Sequence, residues 1–398
     1  MNNFDFIIVG SGIVGMTVAL ELKKRIPQAS IAILDKEDNV GVHASGRNSG
    51  VLHSGIYYAN DTLKAKVCAN GAQQMLEFAK EHQLPFSQAG KVILATSEEQ
   101  LTTVDRLMEN AKLNGIRAQR ISQQEVCELE PAAARGPAAI YCPDTAVIDS
   151  VAVLRKLHFL LVRQGVSFIF GCRVVGVKGA QLVTTKGTFS YGFLFNCAGA
   201  HADTIARWFG LAEHYALIPF KGIYWKLSTE ANSLIKSNIY PVPDIALPFL
   251  GVHITRVISG EVYVGPTAIP VLGRENYNQW HGIHPGEALK ITARLISMYL
   301  TNQNNFRLLA KTELAKYNKK MFFASAKKLM PALQENDLIS SKKAGIRPQL
   351  VNTKTKQLEM DYIFEKTKCS MHVLNAISPS FTSSFAFAKM ILDNSDVS

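Results

Sequence analysis

Three glycines near the start of the chain have the spacing of a site for a dinucleotide phosphate. Gly10, Gly12 and Gly15 follow the largely apolar residues 4–9 in a G-x-G-x-x-G pattern. The first glycine permits a tight turn, the second lets a pyrophosphate approach the backbone, and the third lets a helix pack closely on the strand. We predict that the following helix presents free N–H groups to the phosphates, beginning with those of Ile13 and Val14.

An acidic residue completes the pattern. The apolar residues 30–34 indicate a second buried strand, and Asp35 ends it, twenty residues after Gly15, with Lys36 next. A carboxylate at this place can accept hydrogen bonds from ribose hydroxyls and disfavours a 2′-phosphate. Strand, glycines, helix, strand and acid in this order indicate a dinucleotide site more than a glycine-rich turn of an ordinary α/β unit. The motif alone leaves NAD and FAD open.

The composition indicates an ordinary globular protein. The 398 residues are 47% hydrophobic and 19% charged, which suffices for two domains. No apolar run reaches the length of a membrane-spanning helix, and the N-terminus lacks the basic region of a signal peptide, so we expect a cytoplasmic protein. The six cysteines show no metal-ligand spacing, which predicts reduced thiols and no metal site.

The formal net charge of +11 suggests an anionic partner. Nucleic acid, an anionic membrane surface and an anionic substrate are the three candidates. The basic residues are spread out and accompany no nucleic-acid motif, so we expect an anionic substrate and no nucleic-acid partner. Peripheral contact with the cytoplasmic face of the inner membrane is a possible addition, and solvated surface charge remains the alternative for most of these residues.

The elements that must position the site follow from periodicity and turn signals. Helical patterns cover residues 16–25, 63–82, 97–114 and 149–164, and the aromatic segment 217–270 favours an antiparallel sheet. Residues 285–335 are mostly helical, residues 344–348 suggest a rigid turn, and residues 378–384 open a last helix.

Two further segments suggest backbone that lies close to a ligand. Residues 41–58 are rich in glycine, serine and asparagine, and residues 196–203 pass from strand to helix at small residues. The residues that we expect near a cofactor in these segments are Ser45, Gly46, Asn48, Ser49, Gly50, Val51, Cys197, Ala198 and Gly199.

These motifs resemble the FAD-dependent D-amino-acid-oxidase-like superfamily. Residues 240–244, 248–256, 345–349 and 378–384 are similar to the branch of that superfamily that oxidises L-2-hydroxyglutarate to 2-oxoglutarate. The resemblance covers nearly the whole chain and implies an α/β (α+β) fold. It implies a Rossmann-like FAD-binding domain (1–85, 145–215 and 340–398) interleaved with an antiparallel-sheet-plus-helices substrate domain (86–144 and 216–339). We expect non-covalent FAD, hydride transfer to flavin N5, and a membrane quinone, another acceptor or oxygen as the final oxidant.

The resemblance also suggests roles in the oxidation of a dicarboxylate. His53 is the candidate base and His253 its rival, since imidazole titrates near neutrality. Arg256 and Arg347 are candidate carboxylate ligands because guanidinium pairs with carboxylate through two hydrogen bonds. Weaker substrate candidates are Lys221, Tyr57, Tyr58 and Tyr240, and further cofactor candidates are Val174 near adenine and Gly345, Ser380, Phe381 and Thr382 near the flavin.

Other functions remain open. Within the same fold, the substrate could be an amine, an amino acid or glycerol 3-phosphate. An NAD-dependent dehydrogenase of small hydroxy acids and a non-catalytic flavin protein are the alternatives from other classes.

Overall fold

The structure, a computed structural model, describes residues 2–244, 248–278 and 280–397. Within these ranges the strands, in chain order, are β1 (Asn3–Val9), β2 (Ile31–Leu34), β3 (Val51–Leu52), β4 (Phe86–Ser87), β5 (Lys91–Ala95), β6 (Gln119–Ile121), β7 (Ala138–Cys142), β8 (Ala146–Ile148), β9 (Ser167–Ile169), β10 (Val174–Lys178), β11 (Gln181–Thr184), β12 (Gly187–Asn196), β13 (Tyr215–Leu227), β14 (Asn238–Pro241), β15 (His253–Arg256), β16 (Val262–Gly265), β17 (Ile269–Pro270), β18 (Leu338–Asn352), β19 (Gln357–Leu358), β20 (Phe364–Thr367) and β21 (Ser370–Val373). The α-helices are α1 (Ile13–Arg25), α2 (Leu63–Glu81), α3 (Leu101–Leu113), α4 (Gln123–Leu129), α5 (Ser150–Arg163), α6 (Ala202–Arg207), α7 (Thr229–Asn232), α8 (Pro285–Thr301), α9 (Phe306–Ala315), α10 (Lys319–Lys327) and α11 (Ser384–Asp393).

The first sheet contains the glycine motif. Its strand order is β10-β11-β12-β1-β2-β9, and β21 joins β12 and carries β20 on its other edge. The pairs β1–β2, β2–β9, β1–β12 and β12–β21 are parallel. Both faces of a parallel sheet are covered, which explains why β2 is buried along its whole length. The helices α1, α2, α5 and α11 share a buried apolar cluster with this sheet.

The second sheet is larger and almost entirely antiparallel. Its order is β19-β18-β13-β16-β15-β14-β5-β7-β6, with β17 beside β13 and a parallel pair at β14–β5. The long strands β13 and β18 face each other from Tyr215 opposite Asn352 to Leu227 opposite Leu338. A small third sheet contains three short strands in the order β3-β8-β4. The fold is therefore the α/β type that the sequence predicted.

The predicted helices and the antiparallel sheet are confirmed, but the turn predicted at residues 344–348 is wrong. These residues lie inside β18, because the ladder with β13 keeps the backbone extended through Pro348, which faces Pro219. The domain boundaries remain a prediction. In the structure β18 belongs to the larger sheet, and β20 and β21 belong to the first. None of the described helices is both long and apolar enough to span a bilayer.

Helix α2 packs on the turn before α11 at a glycine. A Cβ on Gly71 would lie 2.5 Å from the Cα of Ser383, which is backbone that cannot move aside easily. The substitution Gly71→Ala should therefore lower the free energy of unfolding by about 1–3 kcal/mol, the cost of overpacking. Equilibrium denaturation of the FAD-loaded protein measures it.

Gly286→Ala in α8 is the matched control, because a Cβ there meets nothing within 4 Å. We expect this variant to be as stable as the wild type or more stable by up to about 1 kcal/mol. Equal stability of Gly71→Ala and the wild type would contradict the close approach of α2 and α11.

Candidate cofactor cavity and active site

A large cavity lies where the two sheets meet. Its volume is about 920 Å³, near the upper end of the roughly 300–1,000 Å³ that ligand sites occupy. Residues from β1, α1 and the 41–58 segment line one end, while residues from β13, β15 and β18 line the other. The cavity is therefore long enough to join the glycine motif to the predicted substrate residues.

The glycine motif forms the first end of the cavity. Gly10 has φ +105°, and a Cβ there would lie 2.5 Å from the carbonyl oxygen of Cys197. The prediction of a free Ile13 N–H is wrong, because this group donates to the Ser45 Oγ (3.0 Å), which draws the 41–58 segment over the start of α1. The helix thus begins at the cavity, where its N-terminal dipole favours a phosphate.

Asp35 has internal partners as well as a place on the cavity wall. One carboxylate oxygen, Oδ2, accepts from the Ser11 N–H (2.7 Å) and hydroxyl (2.6 Å), and the other accepts from the Glu37 N–H (2.9 Å). These bonds fix the carboxylate beside the glycine turn. Oδ1 can accept a further hydrogen bond, so a contact with ribose hydroxyls stays a prediction.

The segment that follows β17 contributes Arg274 and Glu275 to the wall at this end of the cavity. The Arg274 guanidinium forms a buried ion pair with Asp203 (Nη2–Oδ2 3.2 Å). The Glu275 carboxylate binds His201 Nε2 (2.7 Å) and Lys36 Nζ (2.8 Å), and these two partners hold its pKa well below the ordinary value. The dinucleotide end is therefore bounded by charged side chains from distant parts of the chain.

Three side chains at this end, those of Glu37, His43 and Glu275, also have the geometry of metal ligands. Atoms of Glu37, His43 and Glu275 lie within 4.8 Å of one another. The ammonium group of Lys36 contacts both carboxylates, at 2.8 Å for Glu275, so both already have a cationic side-chain partner.

The predicted histidines meet at the other end of the cavity. Burial, together with the nearby cations Lys91 and Arg347, lowers the pKa of His53 to about 3. Burial likewise lowers the pKa of His253 to about 4. The His253 Nδ1–H donates to the carbonyl oxygen of Gly251 (2.9 Å), which leaves Nε2 as the acceptor atom of the neutral ring. Both imidazoles are therefore neutral near pH 7 and able to accept a proton.

The neighbours of these histidines hold them in place. The backbone N–H of His53 donates to Thr382 Oγ1 (3.2 Å), whose hydroxyl donates in turn to the Val51 carbonyl oxygen (3.3 Å). The ring of Tyr240 stacks on His253, with centroids 4.0 Å apart. Tyr240 thus lies behind the cavity wall and supports a residue that lines it.

Two cationic side chains line the same end. Arg347 projects from β18, with its guanidinium carbon 5.1 Å from the centroid of Phe249. Lys64, only 4% exposed, lies near the start of α2 with Nζ 5.5 Å from the Tyr58 ring centroid. Burial and the nearby Arg347 charge lower the pKa of Lys64 to about 7. Two positive groups and two imidazoles therefore face one space.

The structure brings most of the predicted residues into the cavity wall. Those that line it are Gly10, Gly12, Ile13, Val14, Asp35, Lys36, Ser45, Asn48, Ser49, Val51, His53, Tyr57, Tyr58, Val174, Cys197, Ala198, Gly199, His253, Gly345, Arg347, Ser380, Phe381 and Thr382. Gly15, Gly46 and Gly50 lie behind the wall, where a Cβ would meet the carbonyl oxygens of Gly10 (2.0 Å), Gly41 (2.3 Å) and Ile148 (2.4 Å).

Besides Tyr240, two further predicted substrate ligands lie outside the cavity wall. The Arg256 guanidinium donates to the carbonyl oxygens of Asn232 (3.0 Å) and Ile235 (2.9 Å) and is not part of the described cavity wall. It lies three positions after His253 on β15, so the alternation of a strand places it on the opposite face. Lys221 is outside the wall for the same reason, because its neighbours Phe220 and Gly222 face the cavity.

Sequence reasoning missed Lys64. The signal was present, because Lys64, Cys68, Gly71 and Met75 share one face of the predicted helix 63–82, and the structure buries all four. Burying a lysine on the apolar face of an amphipathic helix costs free energy, so a lysine at such a position indicates a specific partner or function.

A dinucleotide cradle joined to a pocket with two neutral imidazoles and two cations is the arrangement of an oxidoreductase that uses a dinucleotide cofactor. The comparison with known proteins agrees. The family model for FAD dependent oxidoreductases, DAO, matches residues 5–394. The chain therefore belongs to this family, and its cofactor is FAD. The residues present fit FAD, since glycines leave room for the pyrophosphate at one end and the cavity continues to His53.

Relatives and solved structures are similar over nearly the full length. The chain is 36% identical to L-2-hydroxyglutarate dehydrogenase of Indibacter alkaliphilus, covering 98% of each chain. It is 33% identical to the mitochondrial L-2-hydroxyglutarate dehydrogenase of Homo sapiens, covering 98% of this chain and 88% of that one. Among solved structures, FAD-bound L-alpha-glycerophosphate oxidase from Mycoplasma pneumoniae aligns with a TM-score of 0.78 at 21% identity, covering 100% of this chain and 96% of that one. Glycine oxidase from Geobacillus kaustophilus aligns with a TM-score of 0.72 at 17% identity, covering 99% and 94%. At these identities the two structures support the fold alone.

Proposed function

We propose that the protein oxidises L-2-hydroxyglutarate to 2-oxoglutarate. The relatives at 36% and 33% identity carry the name of this activity. The observation that carries the proposal is the pair of cations, Arg347 and Lys64, beside two neutral imidazoles in one cavity. A dicarboxylate needs two anion-binding groups, and oxidation of its hydroxyl needs a base.

Each side chain has a separate task in this reaction. Bound FAD supplies the acceptor of the substrate hydride at flavin N5. His53 takes the proton of the hydroxyl group, and His253, with Nε2 free to accept, is the alternative base. Arg347 binds one carboxylate through two hydrogen bonds, and Lys64 binds the other as a point charge. Tyr57 and Tyr58 line the same space and are candidates for substrate contacts.

The partners of the reaction are also part of the proposal. The electrons pass to a membrane quinone, another acceptor or oxygen, and the protein contacts the inner membrane from the cytoplasmic side. A second candidate function is the oxidation of another small anion, such as an amino acid or glycerol 3-phosphate. A single carboxylate or phosphate would leave one of the two cations unpaired, which favours the dicarboxylate.

The visible spectrum of the purified protein tests the function directly. We expect a flavin spectrum that bleaches on anaerobic addition of L-2-hydroxyglutarate and not with the D-isomer. Acid precipitation should release the flavin, because we expect it to be bound non-covalently. If the flavin spectrum bleaches only with glycerol 3-phosphate or an amino acid, the proposed substrate is wrong and that compound takes its place, while the fold assignment is unaffected.

The two histidines can be separated by single substitutions. His53→Asn should slow anaerobic bleaching by about 10²–10⁴-fold, the usual contribution of a general base, with flavin content unchanged. His253→Asn should retain a faster rate than His53→Asn, because His53 is the base in this proposal and His253 only the alternative. The reverse order would make His253 the base, and wild-type rates in both variants would rule out base catalysis by either residue.

The pH dependence of kcat/KM should differ from that of an enzyme whose catalytic histidine titrates near neutrality. Because the pKa values of His53 and His253 lie near 3 and 4, both remain neutral on the acid side, and kcat/KM should be nearly constant between about pH 5.5 and 6.5. Because the pKa of Lys64 is about 7, its cation is present below that pH and lost above it, so kcat/KM should fall as pH rises.

The variant Lys64→Arg provides the control. An arginine stays protonated at every pH of the assay, so the decline above pH 7 should disappear even where the rate itself is lower. Return of each sample to neutral pH before a second assay separates titration from inactivation. A decline of unchanged position in Lys64→Arg would assign it to another group.

A further inference from the structure

The helices α8, α9 and α10 expose an unusual number of large apolar side chains. Of the 18 large apolar residues that are exposed in the described chain, eight lie between residues 285 and 321. Leu289, Ile296 and Leu300 follow one another on the outside of α8 at helical spacing, and the other five belong to α8, α9, α10 and the segment between α9 and α10. We call the exposed surface of residues 285–328 the helical face. Exposed apolar side chains in such a cluster mark an interaction surface.

A groove on this face leads towards the main cavity. It encloses about 290 Å³ between α8 and α9 and is lined almost entirely by apolar side chains. Leu300 and Leu314 stand at its rim with exposed fractions of 67% and 54%. Phe220 and Ala268 line both this groove and the cavity that holds the histidines. The helical face is therefore the outer wall next to the candidate active site.

The net charge of the helical face is strongly positive. Residues 285–328 contain nine lysines and arginines and only two acidic residues, so they contribute +7 of the formal net charge of +11. Both acids are paired, Glu287 with Arg274 and Glu313 with Lys316. Lys290, Arg307, Lys311 and Lys320 are exposed around the apolar residues. A partner of this surface must accept apolar side chains and many cations together.

We propose that the helical face binds the surface of an anionic lipid bilayer. Apolar side chains of amphipathic helices enter the boundary between headgroups and acyl chains, and the surrounding lysines and arginines attract anionic headgroups. A second copy of this chain fits less well, because a symmetric contact would place nine cations opposite nine others. Docking would bring the lipid surface next to the groove. An acceptor dissolved in the bilayer would then reach the protein beside the cavity, a consequence that rests on the proposed function.

Sedimentation with lipid vesicles tests the proposal on the FAD-loaded full chain. We expect binding to vesicles of phosphatidylcholine mixed with phosphatidylglycerol, weakening as salt is added, and little binding to phosphatidylcholine alone. The double variant Lys311→Gln/Lys320→Gln should weaken binding roughly 30-fold, since each cation near an anionic surface contributes about fivefold. The double variant Leu300→Glu/Leu314→Glu should abolish it.

Matched substitutions elsewhere control for general effects. Leu113→Glu on α3 replaces a leucine that is 54% exposed, and Lys66→Gln/Lys112→Gln removes two exposed lysines of α2 and α3. These variants should bind vesicles like the wild type, apart from the small effect of lower net charge. Equal loss in the control and test variants would overturn the proposal, as would no binding of the wild type to anionic vesicles.

The oxidation assay with a soluble dye, without vesicles, separates this proposal from the proposed function. Wild-type rates in all the surface variants are expected. A wild-type protein that binds anionic vesicles but does not oxidise L-2-hydroxyglutarate would contradict the function and keep the surface. Size-exclusion chromatography tests whether a second copy of the chain occupies the helical face instead. If the wild type is a dimer that does not bind vesicles, and Leu300→Glu/Leu314→Glu makes it a monomer, the helical face is an interface between two copies.

Discussion

The close approach of β1 and β12 at Gly10 is the constraint on which the rest of the structure depends. A Cβ at Gly10 would meet the carbonyl oxygen of Cys197 at 2.5 Å, and a Cβ at Gly15 would meet that of Gly10 at 2.0 Å. With glycine at both positions, the two parallel strands end side by side and α1 begins directly above them. The free N–H groups of that helix therefore face the cavity, and the phosphates of FAD can approach backbone without side chains in between.

The two ends of the cavity differ in how their charges are compensated. At the dinucleotide end, the Lys36 ammonium group contacts the carboxylates of both Glu37 and Glu275, so opposite charges are paired within the protein. At the other end, Arg347 and Lys64 lie close enough for Arg347 to lower the pKa of Lys64. Like charges that share a buried site are unfavourable, and an anion between them relieves this cost. The electrostatics thus favour the dicarboxylate that we propose as substrate.

The pairing of β13 with β18 determines where this second end lies. The two strands run side by side over their full length, with Phe220 opposite Arg347 and Gly222 opposite Gly345. A Cβ at Gly345 would lie 2.6 Å from the carbonyl oxygen of Arg47, so β18 passes directly against the segment that covers the start of α1. The same contact that closes the cavity around the cofactor therefore carries Arg347 into it. Phe220 separates this space from the groove on the helical face.

The resemblance to the FAD-dependent superfamily suggested His53 and Arg347 as residues of one site, whereas the sequence by itself determined the local pieces: the strand–glycine–helix–strand unit ending at Asp35 and the helices and strands around it. Spacing and periodicity suffice for these because each depends on neighbours in the chain. Only the tertiary structure decided which charges face the cavity. It turned Arg256 and Lys221 away, because alternation along β15 and β13 places them on the opposite face, and it buried Lys64 on the inner face of α2. These outcomes depend on which face of each element meets the cofactor, and that is set by packing between segments far apart in the chain.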